Sequence, residues 1–227
     1  MFLTKMTINT RRRGARRMMS SPQAMHAAVM AGFADARPTE EGRVLWRLDV
    51  YDTHRVVLYA VSPDRPDFTH LVEQAGWPTT ETWETRCYDS LLASLQRGQR
   101  WQFRLAANPV RHGRRQGWED TKPLGHVTIK QQERWLIERA KDAGFNLVPR
   151  DISADADGDV DLAVVHRSIR RFRRKDQQVT IATATFEGHL EICDVAALRR
   201  SLTRGIGRAK SYGCGLLTLA RPSSSLR

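Results

Sequence analysis

The sequence predicts an α+β chain of two tandem ferredoxin-like (βαββαβ, RRM-like) units, on three observations. Strand-like and helix-like runs follow one another in the order β-α-β-β-α-β from Phe2 to Val110. A basic, glycine-rich stretch comes next, and the same order begins again near Val127. The 227 residues suffice for one large domain or two small ones, each with its own core. The expected division is an N-terminal unit over 1–110, a basic linker or loop over 111–122, a C-terminal unit over 123–221 and a disordered tail over 222–227.

Phe2 to Ile8 alternates with period two and reads as the first strand. The arginine-rich stretch after it, with Arg11, Arg12, Arg13, Arg16 and Arg17, is expected to be a loop. Ser21-Pro22 then opens a helix, with a hydroxyl at the N-cap and proline at the first helical position, running to about Phe33. Its core stripe is Met25, Ala28, Val29 and Phe33; His26 falls on the flank shared by Gln23 and Met30, near the surface and facing the arginines. Arg43–Tyr51 and His54–Val61 form a hairpin around Asp52-Thr53. A short amphipathic segment over Asp67–Ala75, a short helix over Leu91–Leu95 and a strand over Arg100–Val110 complete the first unit.

In the second unit Val127–Ile129 reads as a strand, and Gln131–Ala143 as an amphipathic helix ended by Gly144. Asp161–Phe172 and Gln178–Phe186 form a long hairpin, with Glu187-Gly188 as a turn toward His189–Cys193. Asp194 caps a helix to Thr203, and a glycine-rich loop leads into the strand Leu216–Leu219.

Charge narrows the function. There are 37 basic against 25 acidic residues, a formal net charge of +12, which points to a polyanionic partner, nucleic acid first and an anionic membrane surface second. No apolar run approaches the roughly 18–20 residues that span a bilayer. Cys87, Cys193 and Cys214 lie far apart with no zinc-type spacing, as reduced thiols of a cytoplasmic protein do. The arginine-rich start also reads as a transit peptide, but Phe2–Ile8 has the alternation of a strand.

Three stretches carry chemistry. Between Arg204 and Ala220, Gly205, Gly207, Gly213 and Gly215 bracket Arg208, Lys210 and Ser211. Glycines that pass through positive φ leave N–H groups unshielded, and two cations among them make a phosphate-gripping loop. A Walker A loop is excluded because Ala209 precedes the Lys-Ser pair, and a dinucleotide fingerprint because helix precedes strand. At the tip of the long hairpin Arg170, Arg171, Arg173, Arg174 and Lys175 surround Phe172; five cations in six residues exceed what protection of an edge strand needs, and a basic ribbon suits a nucleic-acid groove. His26, with an ordinary imidazole value of about 6.5, is the natural proton-handling group beside the arginines. The acidic run Asp155–Asp161 lacks the spacing of an EF-hand loop and reads as an exposed turn. With no carboxylate cluster, neither metal nor other cofactor is expected.

The segment Gly205-Ile-Gly-Arg-Ala-Lys-Ser-Tyr-Gly-Cys-Gly-Leu-Leu-Thr-Leu, with Phe186-Glu-Gly-His-Leu and Phe103-Arg-Leu-Ala-Ala-Asn-Pro-Val, resembles the CasE family, CRISPR RNA-processing endoribonucleases of type I-E systems. The resemblance runs from the first strand to Leu219. It implies tandem ferredoxin-like domains, cleavage within the stem-loop repeats of CRISPR precursor RNA, and retention of the crRNA product with the other Cascade subunits. It places the catalytic histidine at His26, the RNA-stem grip at Arg170 to Lys175, and a brace for bound RNA in the glycine loop. The family often has tyrosine three residues before the histidine; here Gln23 stands there, and an amide cannot act as acid or base near neutrality. The expected reaction is attack of the RNA's own 2′-OH on the adjacent phosphate without metal, giving a 2′,3′-cyclic phosphate and a free 5′-OH. In it His26 moves the protons and cations of the Arg11–Arg17 stretch stabilise the phosphorane. The alternatives are a non-catalytic RNA-hairpin-binding subunit, which Gln23 favours, and a double-stranded-DNA module.

Overall fold

A computed structural model describes residues 1–53, 55–113, 122–150, 160–174 and 177–222. It contains two compact units, one of Met1–Leu95 with Leu202–Gly205 and Ala209–Leu216, the other of Gln96–Ser201 with Ile206–Arg208 and the chain from Leu217 on.

The first unit holds β1 (Phe2–Ile8), α1 (Arg13–Ser20), α2 (Pro22–Met30), β2 (Leu45–Val50), β3 (Val56–Ser62), α3 (Thr69–Ala75), β4 (Trp83–Cys87) and α4 (Asp89–Ser94). Its sheet runs β2-β3-β1-β4, every pair antiparallel, which is the ferredoxin-like order. One core joins the sheet to the helices: Met6 and Ile8 of β1, Ala15 and Met18 of α1, Met25 and Val29 of α2, Trp46 of β2, and Leu71, Val72 and Ala75 of α3. The predicted α2 stripe holds, with Ala28 and Phe33 partly buried against this core.

Two expectations in this half are corrected. The Arg11–Arg17 stretch is largely helical rather than a loop: arginine, alanine and methionine are strong helix formers, and α1 buries Ala15 and Met18 while Arg13, Arg16 and Arg17 stay exposed. Gly14 lets α1 lie against the α3 backbone, since a β-carbon there would come within 2.3 Å of the Gln74 carbonyl oxygen. The fourth strand is β4, not Arg100–Val110. W-E-T-R-C is a short edge strand whose one large apolar residue, Trp83, is only partly buried, so it has almost no alternation to read.

The second unit is built from β5 (Arg100–Ala107), β6 (Val110–Gly113), β7 (Lys122–Gly125), α5 (Ile129–Ala140), β8 (Phe145–Leu147), β9 (Leu162–Arg174), β10 (Gln177–Ile192), α6 (Val195–Arg204) and β11 (Leu217–Ala220). Its sheet runs β11-β5-β10, with β9 and the short β8 pairing along the far side of β10. Thus β5, α5, β9, β10, α6 and β11 make a second ferredoxin-like unit, with β5 as its first strand. The division expected at 111–122 falls instead before β5, and that stretch begins and ends in the two-stranded ribbon β6-β7. Its residues 114–121, His54 of the first hairpin, Asp155–Asp159 of the acidic run and residues 223–227 of the tail lie outside the described residues.

Val127–Ile129 does not form a strand. The Thr128 hydroxyl accepts from the Gln131 amide while the Gln131 side chain accepts from the Thr128 amide, a reciprocal cap that starts α5 at Ile129 despite the β-branched run. Nor does Glu187-Gly188 turn the chain: β10 runs straight through to Ile192. Gly188 is needed because a β-carbon would lie 2.0 Å from the Asp161 carbonyl oxygen, and the next residue, His189, bonds its Nδ1 to the Asp161 carboxylate. The α6 cap is as expected, with the Asp194 carboxylate accepting from the Ala197 amide. Phe103 packs on Phe145, and the Trp135 and Phe186 rings stack at 6.1 Å in the core of this unit.

Candidate functional site

In the first unit α2 begins where the sequence says it should. The Ser21 hydroxyl accepts from the Ala24 amide and Pro22 occupies the first turn, a cap worth about 1 kcal/mol. That fixes the helical phase: Met25 and Val29 point into the core, Gln23 is exposed, and His26 is half-buried between them. The buried Trp46 of β2 donates its indole N–H to His26 Nδ1 at 3.3 Å. An indole nitrogen is a donor only, so the histidine's Nδ1 is the acceptor.

The glycine-rich loop forms the other side of this site. All four glycines take positive φ, as expected: Gly205 +77°, Gly207 +79°, Gly213 +81° and Gly215 +92°. Between them Ala209 is also left-handed, at +63°, and Lys210–Tyr212 make one 3₁₀ turn. That turn packs against α2 and β2. Gly213 lies flush on the Trp46 ring, where a β-carbon would come within 2.8 Å of Cζ3. The loop's exit is tied to β2 by Arg47, which donates to the Leu216 carbonyl and forms a fully buried pair with Asp49 at 2.7 Å.

Lys210 of the 3₁₀ turn is half-buried, and burial first, then nearby Arg43, lowers its pKa from the ordinary lysine value. A lysine held this way is a partly desolvated cation, and an anion brought beside it is strongly favoured. Arg13, Arg16 and Arg17 project from α1, which packs on α2; Arg11 is exposed ahead of it, and Arg12 donates to the Gly76 carbonyl. Ser211 is half-buried in the same turn. Thus His26, Gln23, Lys210, Ser211, Gly205, Gly213 and the α1 arginines gather in one unit.

The remaining expected RNA contacts belong to the second unit. Gly207 lies on the Trp135 ring, 3.0 Å from Cζ2 by its virtual β-carbon, and Arg208 beside it is exposed. From Gln177 to Thr183 β10 pairs with β9 alone, its contact with β5 starting only at Ala184, so the hairpin runs out past the sheet as a two-stranded ribbon. Arg171 on this ribbon is exposed and Arg170 half-buried. Arg173 and Arg174 continue β9, and Lys175 lies outside the described residues. No group of His, Cys, Asp and Glu suited to a metal ion occurs among the described residues. Among the described residues no helix is long and apolar enough to cross a membrane.

A family model described as "CRISPR associated protein" matches residues 1–221. The chain belongs to that family. Among its relatives in the CRISPR associated protein family, the CRISPR-associated endoribonuclease Cse3 of Thermus thermophilus is 29% identical over 223 residues, covering 97% of this chain and 100% of Cse3. The Cascade subunit CasE of Escherichia coli is 29% identical over 194 residues, 77% of this chain and 94% of CasE. Among solved structures, Cse3 bound to a 19-nucleotide RNA superposes with a TM-score of 0.80 at 27% identity, covering 97% and 100% of the two chains. A chain of a CRISPR RNA-guided surveillance complex superposes at 0.64 and 25% identity, covering 97% and 100%.

The sequence missed the partner of His26. Trp46 reads as an ordinary core residue of a strand, and its bond crosses twenty positions of sequence, so no local pattern carries it. Arg43, whose charge acts on Lys210, likewise reads in the sequence only as the start of a strand.

Proposed function

We infer that this family member is a CRISPR precursor-RNA endoribonuclease, which binds the repeat stem-loop, cuts it to mature crRNA and stays with the product as a Cascade subunit. The observation that carries this reading is the end-to-end likeness to Cse3, an endoribonuclease whose RNA-bound structure superposes at a TM-score of 0.80. The basic hairpin, the net charge of +12 and the glycine loop agree with it. With RNA as substrate and reduced-thiol cysteines, the site of action is the cytoplasm.

The reaction that suits these residues is attack of the 2′-oxygen on the adjacent phosphorus as the bond to the 5′-oxygen breaks, leaving a 2′,3′-cyclic phosphate and a 5′-OH. It requires no metal and no cofactor. His26 is the catalytic group, worth roughly 10²- to 10⁴-fold. Lys210 and the cations Arg11, Arg12, Arg13, Arg16 and Arg17 carry the charge that builds on the phosphorane, a role for which the desolvated Lys210 is well suited. Arg170, Arg171, Arg173, Arg174 and Lys175 hold the stem, while Gly205, Gly207, Arg208, Ser211 and Gly213 let the glycine loop approach the backbone.

His26→Ala tests this reading. The variant is expected to bind the repeat hairpin as wild type does and to lose cleavage by roughly 10²-fold or more. The non-catalytic reading, favoured by the exposed Gln23 one turn before His26, predicts equal processing before and after the change.

A further inference from the structure

We propose that a cavity between β6 and α5 of the second unit binds one unpaired nucleotide of the RNA, beside the repeat stem. This deepens the proposed function and rests on it. The cavity has a volume of about 660 Å³, and its walls include Arg111 of β6, His126, and Arg134, Trp135, Glu138 and Arg139 of α5. That size lies within the roughly 300–1,000 Å³ of sites that enclose small molecules. The pairs Arg134/Glu138 and Trp135/Arg139 are each four residues apart, which puts all four on one side of the helix.

The chemistry of these walls suits a nucleotide. Three arginines stand against one glutamate among the described lining residues, so a phosphate is favoured there. The Arg139 guanidinium lies over the Trp135 ring at 4.7 Å and donates to the Trp135 carbonyl at 3.0 Å. Trp135 itself is 3% exposed and stacked with Phe186, whereas the Arg139 side chain is 42% exposed. The indole therefore serves as a backing and the planar cation is the surface on which a base can stack. A base inside a duplex is already stacked on both sides and cannot enter a cavity, whereas one outside the stem can.

The cavity also lies where RNA should pass. Gly207 of the glycine loop rests on the Trp135 ring, and Arg167 of β9 donates to the Val127 carbonyl just ahead of α5, at 3.1 Å. The helix that lines the cavity thus touches both elements assigned to the RNA in this unit. His126 is half-buried, and its Nδ1 is buried with no hydrogen-bond partner among the described residues, so the wall is not satisfied by the protein alone. Burial first, then Arg111 and Arg139, lower the His126 pKa from the ordinary imidazole value, while Glu138 acts the other way. A phosphate seated among the same arginines offsets their charge and moves that value back up.

The test compares two RNAs on the full chain at one salt concentration: the repeat hairpin with its single-stranded flanks, 2′-deoxy at the scissile position, and the same stem-loop trimmed blunt. Wild type is expected to hold the flanked RNA about tenfold more tightly. Arg139→Ala and Arg139→Lys are both expected to erase that gain, because lysine keeps the charge without the plane, and to leave the Kd of the blunt RNA within about twofold. Equal affinity of wild type for the two RNAs overturns the proposal. So does an equal loss on both, which would put the arginine on the stem, or full flanked affinity in Arg139→Lys, which would make the contact one of charge alone. A second reading needs no variant: in NMR pH titrations of wild type, His126 is expected to titrate at higher pH with the flanked RNA bound than with the blunt one. An equal or lower value overturns the site. Failure of wild type to bind either RNA would instead remove the proposed function on which the site rests.

Discussion

Gly213 sits at φ +81° with the Trp46 ring where a β-carbon would go, so the position resists any side chain twice over. Gly213→Ala is expected to destabilise the fold by about 1–2 kcal/mol from the left-handed backbone alone, with the ring contact adding to it. Urea unfolding measures this; a neutral substitution would mean that the loop rests elsewhere. Lys210 permits a check by pH. Its folded pKa is lowered by burial and Arg43, so between that value and the ordinary one near 10.4 the unfolded chain binds more protons than the folded one. Stability must therefore rise with pH across that window, and Lys210→Met should remove the rise. A wild-type-to-variant difference that stays flat as the pH rises toward the ordinary lysine value would contradict it. At this scale the sequence made His26 legible through its helical phase, and the glycines through their spacing. It could not show Trp46, because a residue's partner across a sheet is decided by tertiary packing.

Among the elements, the β9-β10 ribbon separates binding from chemistry. It carries cations and no residue assigned to the chemical step, so Arg170→Ala with Arg171→Ala should weaken RNA binding and make the slope of log Kobs against log salt less negative by about 1–2. Cleavage at saturating protein should hold its rate. An unchanged salt slope would place the stem on another surface. Several elements also show where reading by pattern fails. β4 has one partly buried aromatic and almost no alternation, while β5 has a strong run, so pattern alone assigns the stronger strand to the wrong sheet. Val127–Ile129 has β-branched residues but also a threonine and glutamine three apart, and the reciprocal cap prevails. The α1 arginines looked like a loop because charge hid the Ala15 and Met18 stripe on the reverse face. Gly188 looked like a turn, yet it is a close approach of two strands.

For the whole molecule, the repeated β-α-β-β-α-β order was legible although the boundary between its copies was not, since the order of elements survives when one strand is assigned to the wrong copy. The excess of basic residues was legible in composition and needs no fold to be read. Both agree with a protein whose relatives include an RNA-bound endoribonuclease and a Cascade subunit. The most direct test of the account is single-turnover cleavage of the repeat hairpin in EDTA, with the ordinary RNA beside one carrying a single 2′-deoxy nucleotide at the scissile position. The account predicts that the ordinary RNA yields a 2′,3′-cyclic phosphate and a 5′-OH, while the deoxy substrate is bound equally well and left intact. Cutting of the deoxy substrate, or no cutting of either until Mg²⁺ is added, would contradict it.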